Sequence, residues 1–322
     1  MPLAYPFLLG YLLDLILGDP PHWPHPVRLI GRVCRFWEEF FYRPYIWAGV
    51  WYWLAVMGTV GAMIWVGAWI LAWLPPLMAA GVVTYFIYAT LATRALHLES
   101  RRVEEALAAG DLEGARKYLS LIVGRQTAHL SVEEVRRAVL ETIAENLGDG
   151  VVAPIFYGLL LGVPGMLLYK AVNTMDSMVG YKNYRYRAFG RLSARLDDLL
   201  SWLPARLSAL LITGVSPWVG LDRAGAWRTM WRYGRKSSSP NAGWPEAALA
   251  GALGVRLGGP SLYFGQTVEK PFIGAPGRHP QEGDYRQAVL LLYGASAVMA
   301  VLTFLILATT GAGLLGLWGL MR

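Results

Sequence analysis

Between residues 141 and 206 the chain sets carboxylates, amides, ammonium and guanidinium groups at helical spacings within stretches apolar enough to lie in a bilayer. Charge beside lipid is costly, and it marks a functional site by default. Glu141, Glu145 and Asp149 fall at i, i+4 and i+8, so one helix would align them in an acidic stripe with Asn146 beside it. Such oxygens suit Mg²⁺, which keeps water and phosphate as co-ligands. A solvated helix face paired partly with Arg137 is the plain alternative. Lys170, Asn173, Asp176 and Ser177 lie within about two turns of one another and could line a phosphate–metal pocket, or cap a polar helix end.

Lys170, Lys182, Arg185, Arg187, Arg191 and Arg195 place six cations in 26 residues, interleaved with Tyr181, Tyr184 and Tyr186. That density suits a polyanionic ligand, and a basic loop facing lipid headgroups is its rival. Asp197 and Asp198 follow Arg195, either as its ion-pair partners or as a further metal or base position. Asp19, His22, His25 and Arg28 share a proline-bound loop. Two imidazoles without a third soft ligand favour a structural or substrate-contact loop over a zinc site. Ser239-Pro240-Asn241 before Glu246 reads as a helix cap, and a ligand loop could coexist with it. No Gly-x-x-x-x-Gly-Lys-Ser/Thr, Gly-x-Ser-x-Gly or His-Glu-x-x-His motif occurs, so any ATP site is unconventional.

The elements that must position these residues follow from composition and periodicity. Of 322 residues, 55% are hydrophobic and 16% charged, well below the roughly 25% charged of soluble domains. Fourteen Trp and seventeen Tyr suit membrane interfaces. The expected class is therefore an all-α, polytopic integral membrane protein. The net charge of +7 is explained first by basic cytoplasmic loops. The mixing of basic and acidic residues without a recognition motif argues against nucleic acid. Cys34 is the only cysteine, which excludes an intrachain disulfide and assigns it to packing.

Residues 3–17 read as a short membrane-associated helix rather than a cleavable signal, since no basic stretch precedes them and Asp14 interrupts them. Gly18–Pro26 holds four prolines and is expected to be irregular. Residues 46–73 can cross the hydrocarbon, which takes about 20 apolar residues. Pro75-Pro76 ends that helix, and 77–93 is a second crossing. Residues 94–150 carry eight basic and ten acidic residues with apolar positions every three or four, predicting amphipathic cytoplasmic helices with a break at Gly110-Asp111. Residues 151–169 contain Pro154, Gly158, Gly162, Pro164 and Gly165, predicting a broken or re-entrant helix. Residues 170–198 are polar, 199–220 apolar, and 221–285 loop-rich, with a small-residue helix over 247–259; 287–320 supply one long last span, or a span plus an interfacial helix. If the polar blocks build one site they share one side, and the Lys/Arg excess puts that side in the cytoplasm.

LDLILGDPPHWPHPVRLIGR, ETIAENLGDGVVAPIFYGLLLGVPG, YKAVNTMDSMVGYKNYRYRAFGRLSARLDD, PAR at 204–206 and SPNAGWPEAALAGALGVRLGG resemble, in order and over nearly the whole chain, the CobD/CbiB family of cobalamin biosynthesis. The resemblance implies one membrane domain over 1–322 in the cell (inner) membrane, with active-site blocks at 141–206 and 237–259 facing the cytoplasm. It implies an ATP- and Mg²⁺-dependent ligase joining (R)-1-aminopropan-2-ol, or its O-phosphate, to a propionate of adenosylcobyric acid, giving adenosylcobinamide (phosphate). Other membrane-associated corrinoid enzymes are implied as partners. An acyl phosphate is the expected route. Glu141, Glu145, Asp149, Asp176 and Lys170 are the expected catalytic residues, and Glu145, Asp149, Asp176 and Asp198 the expected metal carboxylates. Asp19, His25, Arg28, Asn146, Asn173, Ser177, Tyr181, Lys182, Arg185, Arg191, Arg195 and Asn241 are the expected substrate contacts. Two rivals stand beside this: a Mg²⁺-dependent membrane transferase acting on a pyrophosphate substrate, and a corrinoid transporter or scaffold.

Overall fold

The structure is a computed structural model that describes residues 2–263, 265–269, 271–274 and 278–313. In chain order the helices are α1 (Ala4–Leu17), α2 (Pro26–Phe41), α3 (Ile46–Trp73), α4 (Pro76–Tyr88), α5 (Thr93–Ala108), α6 (Leu112–Ser120) and α7 (Val132–Leu147). A π-helical turn, Gly148–Val152, follows, then α8 (Ala153–Val179), α9 (Arg191–Leu200), α10 (Trp202–Val215), α11 (Arg223–Tyr233), α12 (Gly243–Leu253) and α13 (Glu282–Thr310). Four short strands between α12 and α13 are the non-helical exception: β1 (Arg256–Gly258), β2 (Ser261–Tyr263), β3 (Gln266–Val268) and β4 (Phe272–Gly274).

Local chemistry explains most boundaries. Pro26 and Pro76 open α2 and α4, where a missing N–H costs nothing. Gly110 turns at φ +76°, and Asp111 then caps α6 by accepting from Gly114 N–H at 2.8 Å. Ser131 and Glu134 form a reciprocal capping box at the start of α7. Gly162 (φ 66°, ψ −158°) breaks α8, and Pro164 removes a further donor, so the expected broken helix is present.

Four stretches are long and apolar enough to cross a membrane: Ile46–Trp73, Pro76–Ala108, Val132–Val179 and Glu282–Thr310. A fifth arises if Arg191–Leu200 and Trp202–Val219, bent by 46°, make one span. The polar helices α5 and α7 are thus continuous, or nearly so, with apolar neighbours. Trp65, Trp69 and Trp73 form an exposed stripe at the end of α3, as an interfacial belt does.

The chain gathers into two compact units that interleave along the sequence, so no linker divides them. The first comprises the stretch to Ala92, Ala153–Leu200 and the chain from Ala300. Its core joins Ile30 and Cys34 of α2, Tyr52, Val56 and Val60 of α3, Val172, Met175 and Val179 of α8, and Phe189. The second comprises Thr93–Val152 and Ser201–Met299. There α11 and α12 pack backbone to backbone: a Cβ on Gly225 would collide with the carbonyl of Gly251, and one on Gly251 with that of Gly225. The small-residue helix is therefore used as expected, but it begins at Gly243 and stops at Gly254 (φ 65°).

Two sequence readings are corrected here. The stretch 221–285 holds the helix α11 as well as α12, and it holds two antiparallel pairs, β1 with β4 and β2 with β3. Three-residue strands separated by Gly-rich turns are too short to show alternation. Helix α11 buries only Ala226 and Met230, so its apolar period is faint.

Candidate functional site

Two polar clusters stand out, one in each unit. In the second unit Glu141 of α7 is buried. Arg125 Nη2 donates to Glu141 Oε2 in a close ion pair, and the N–H of Gly258 donates to Oε1 at 2.7 Å. Arg137 Nε stands 3.9 Å from Oε1, and Arg125 Nη1 donates to Ser261 Oγ at 3.1 Å. Each oxygen of Glu141 thus has its own donor, which leaves a carboxylate that fastens α7 to the β1 turn. Beside it lies a polar cleft of about 30 Å³, lined by Glu141, Ser237, Glu246, Gly258, Gly259 and Ser261. That volume admits water but no nucleotide.

Glu141 and Glu145 keep their i, i+4 spacing on α7, and Asp149 alone of the three leaves the regular α-helix. Glu141 is buried, Glu145 exposed and Asp149 half-buried. Asp149 lies in the π turn, whose wider i→i+5 bonding shifts the phase of the helix. Asn146 Nδ2 donates to Thr142 O of its own helix at 3.0 Å. Asn241 is buried, and its Oδ1 accepts from Arg206 Nη1 at 3.4 Å. Ser239 Oγ accepts from the N–H groups of Asn241 and Ala242, which shapes the turn before α12, but the helix starts from Ala242 without a side-chain cap, so the expected cap is not formed. Arg206 lies between the rings of Trp202 and Trp244, at 4.1 and 4.7 Å from their centroids.

In the first unit the second cluster spans the end of α8, the loop 180–190 and α9. Asn173 Nδ2 donates to the buried Asp197 at 3.3 Å, and Lys182 interacts electrostatically with Asp198. Ser177 Oγ donates to Asn173 O, within its own helix. Asp176 packs against Gly180, where any Cβ would strike its carboxylate. Lys170 and Tyr181 are half-buried, while Lys182, Arg191 and Arg195 are exposed, the last two one turn apart on α9. Arg185 departs from the group. Its Nη2 donates to Glu38 Oε1 at 3.1 Å, and its guanidinium lies 4.8 Å from the Tyr42 ring and 5.1 Å from the Tyr186 ring.

The proline loop is held by side chains of α2 and α4. Arg28, read as a substrate contact, donates Nη2 to Pro20 O at 2.8 Å and Nη1 to Pro21 O at 2.5 Å. His25 Nε2 lies 3.3 Å from Asp19 Oδ1. Tyr88 donates to Gly18 O at 2.6 Å, and Tyr85 donates to Pro24 O. These bonds give the loop a structural role.

Arg125 and Ser261 escaped the sequence reading. Each is an isolated polar residue whose partner is remote, so no spacing announces it. Among the described residues no three His, Cys, Asp or Glu side chains group as a metal cage. That leaves sites of one or two carboxylates, which is how Mg²⁺ is commonly held alongside phosphate and water.

Broken helices, apolar spans and polar clusters in membrane-associated units define a helical multi-pass membrane protein. The family described as CobD/Cbib protein matches residues 7–292, and the chain belongs to it. It is 48% identical over 298 residues to the cobalamin biosynthesis protein CobD of Geobacter metallireducens, covering 92% of this chain and 94% of that protein. It is 45% identical over 301 residues to the protein of the same name from Klebsiella pneumoniae, covering 91% and 94%. With the cobalamin biosynthesis protein CbiB of Salmonella arizonae it shares 44% over 304 residues, covering 91% and 94%. No solved structure matches.

Proposed function

We propose that the protein serves cobalamin biosynthesis as a membrane amide synthase. It would join (R)-1-aminopropan-2-ol, or its O-phosphate, to the propionate carboxylate of adenosylcobyric acid. Family membership across residues 7–292 carries the pathway assignment, and the polar corner of α8 and α9 supports the chemistry. A carboxylate is a poor electrophile and must be activated. ATP with Mg²⁺, when bound, supplies a phosphoryl group that turns it into an acyl phosphate open to the amine.

The chain's own part is positioning and charge neutralisation. Lys170, Lys182, Arg191 and Arg195 are proposed to hold phosphate and carboxylate oxygens. Asp176 and Asp198 offer hard oxygen donors close to those cations, a set that fits a divalent ion shared with phosphate. Glu145 and Asp149 are the corresponding carboxylates of the other polar block. The cytoplasmic face of the inner membrane is proposed from the Lys/Arg excess of 182–195 and 223–236.

The test uses the purified chain in nanodiscs with adenosylcobyric acid, each amine in turn, ATP and Mg²⁺, following corrinoid mass and nucleotide together. An amide product with equimolar ADP and phosphate is expected. AMP would retain the ligase and remove the acyl phosphate. Tight corrinoid binding without product would favour a transporter or scaffold.

A further inference from the structure

Helix α11 presents a surface that the proposed reaction does not use. Its buried side rests on α12 through Ala226, Met230 and the Gly225–Gly251 contact. Trp227 and Trp231, one turn apart with rings 5.7 Å from centroid to centroid, are each about half exposed, and Trp231 also packs edge-on against Trp244 of α12 at 5.4 Å. Arg223, Arg228, Arg232, Arg235 and Lys236 flank them, all exposed. Asp222, just before the helix, stands 3.7 Å from Arg228. Tyr233 lies under Arg232 and Lys236, 5.5 and 5.0 Å from its ring centre. The helix begins four residues after Val219, the end of a stretch that can be part of a membrane span, and Trp218 there is 74% exposed.

Exposed tryptophan is costly in water and favourable at the headgroup level, where the ring is wet on one edge and dry on the other. Guanidinium groups beside it meet phosphate oxygens in that same layer. We propose that α11 is an interfacial helix. Its Trp227–Trp231 stripe sits at the acyl boundary, and its arginines engage anionic phospholipid headgroups of the bilayer that holds the chain.

The test takes the full chain in phosphatidylcholine nanodiscs containing a fixed minor fraction of a lipid brominated near its headgroup, either phosphatidylglycerol or phosphatidylcholine. The quenching attributable to α11 is the part lost in Trp227→Phe/Trp231→Phe. Brominated phosphatidylglycerol is expected to quench that part more strongly than brominated phosphatidylcholine. The preference should weaken on the order of fivefold for each arginine removed in Arg228→Gln, Arg232→Gln and Arg235→Gln. No quenching from these two tryptophans would take the helix off the membrane. Equal quenching by the two lipids would remove the headgroup recognition. Loss of the preference on adding inorganic phosphate at constant ionic strength would make the surface a site for soluble phosphate and overturn the lipid assignment.

Discussion

The Tyr186 hydroxyl donates to Glu38 Oε1 at 2.6 Å, and that same oxygen accepts from Arg185 at 3.1 Å. Glu38 sits near the end of α2, so one carboxylate pins the basic loop 180–190 to the α2–α3 corner. Tyr42 reinforces the clamp by donating to Arg185 O at 3.2 Å and packing edge-on to Phe189. Hydrogen bonds to charged groups contribute about 1.5–3 kcal/mol. Tyr186→Phe and Glu38→Gln should therefore loosen this loop locally. Limited trypsin digestion should cut after Lys182, Arg185 and Arg187 several-fold faster in both variants, with global unfolding little changed. Unaltered cleavage rates would deny the clamp.

The same contact makes the loop sensitive to alkali. Burial, followed by the Glu38 hydrogen bond and charge, pushes the Tyr186 phenol up to about 12 from 10. The folded state therefore keeps its proton where the unfolded chain loses it. The stabilisation is complete below pH 10 and is lost as pH rises towards 12. Protease resistance of the loop should fall over that window in the native chain. Tyr186→Phe should lack that step, and a matching step in the variant would refute the assignment.

Cys34 is buried in the core of the first unit, and burial raises its thiol to about 11. The reactive species is the thiolate. Iodoacetamide at neutral pH should leave the folded protein unmodified and add one label after denaturation, counted by intact mass. Rapid labelling of the folded chain would contradict this packing.

Glu141 and Glu145 should separate sharply on substitution. Glu141→Gln leaves Arg125 and Arg137 short of a buried counter-charge, a change expected to cost about 3–5 kcal/mol. Glu145→Gln, at an exposed position, should stay within about 0.5 kcal/mol of the native stability. Thermal unfolding in detergent compares them, and equal midpoints would show that Glu141 is not a fastening group.

Gly49 and Gly190 mark where backbone meets backbone. A Cβ on Gly49 would fall inside the carbonyl oxygen of Phe189, and one on Gly190 inside that of Val179. Neither obstacle is a flexible side-chain tip. Alanine at either position should cost about 1–3 kcal/mol through forced backbone shifts, whereas Gly58→Ala, with nothing close by, should be benign. Melting temperatures of the three variants settle the comparison.

Much of this architecture was legible because it is local. Pro75-Pro76 ends α3, Gly110-Asp111 separates α5 from α6, and Gly162 and Pro164 break α8, each by a rule acting over a few residues. The clusters were legible only as composition. Glu38 drew no notice because its partner Arg185 is 147 positions away, and helical periodicity sees three or four. Glu141 was noticed for its neighbours along the helix, yet its partners come from Arg125 and from a strand turn at Gly258. Arg185 and Arg28 counted towards a ligand-facing charge, and both are engaged by the protein itself.

The break at Gly162 also bears on how the chain enters the membrane during synthesis. It divides α8 into two pieces, and the second carries Lys170, Asn173 and Asp176, a poor candidate for insertion on its own. Its packing partners, Ile30 and Cys34 of α2 and Tyr52, Val56 and Val60 of α3, are translated earlier. On this packing, α2 and α3 are expected to offer a protein surface to α8 when it leaves the ribosome. A lesion in α2 or α3 should therefore surface as a biogenesis defect more than a hundred residues downstream, with α8 left outside the membrane and exposed to quality-control proteases.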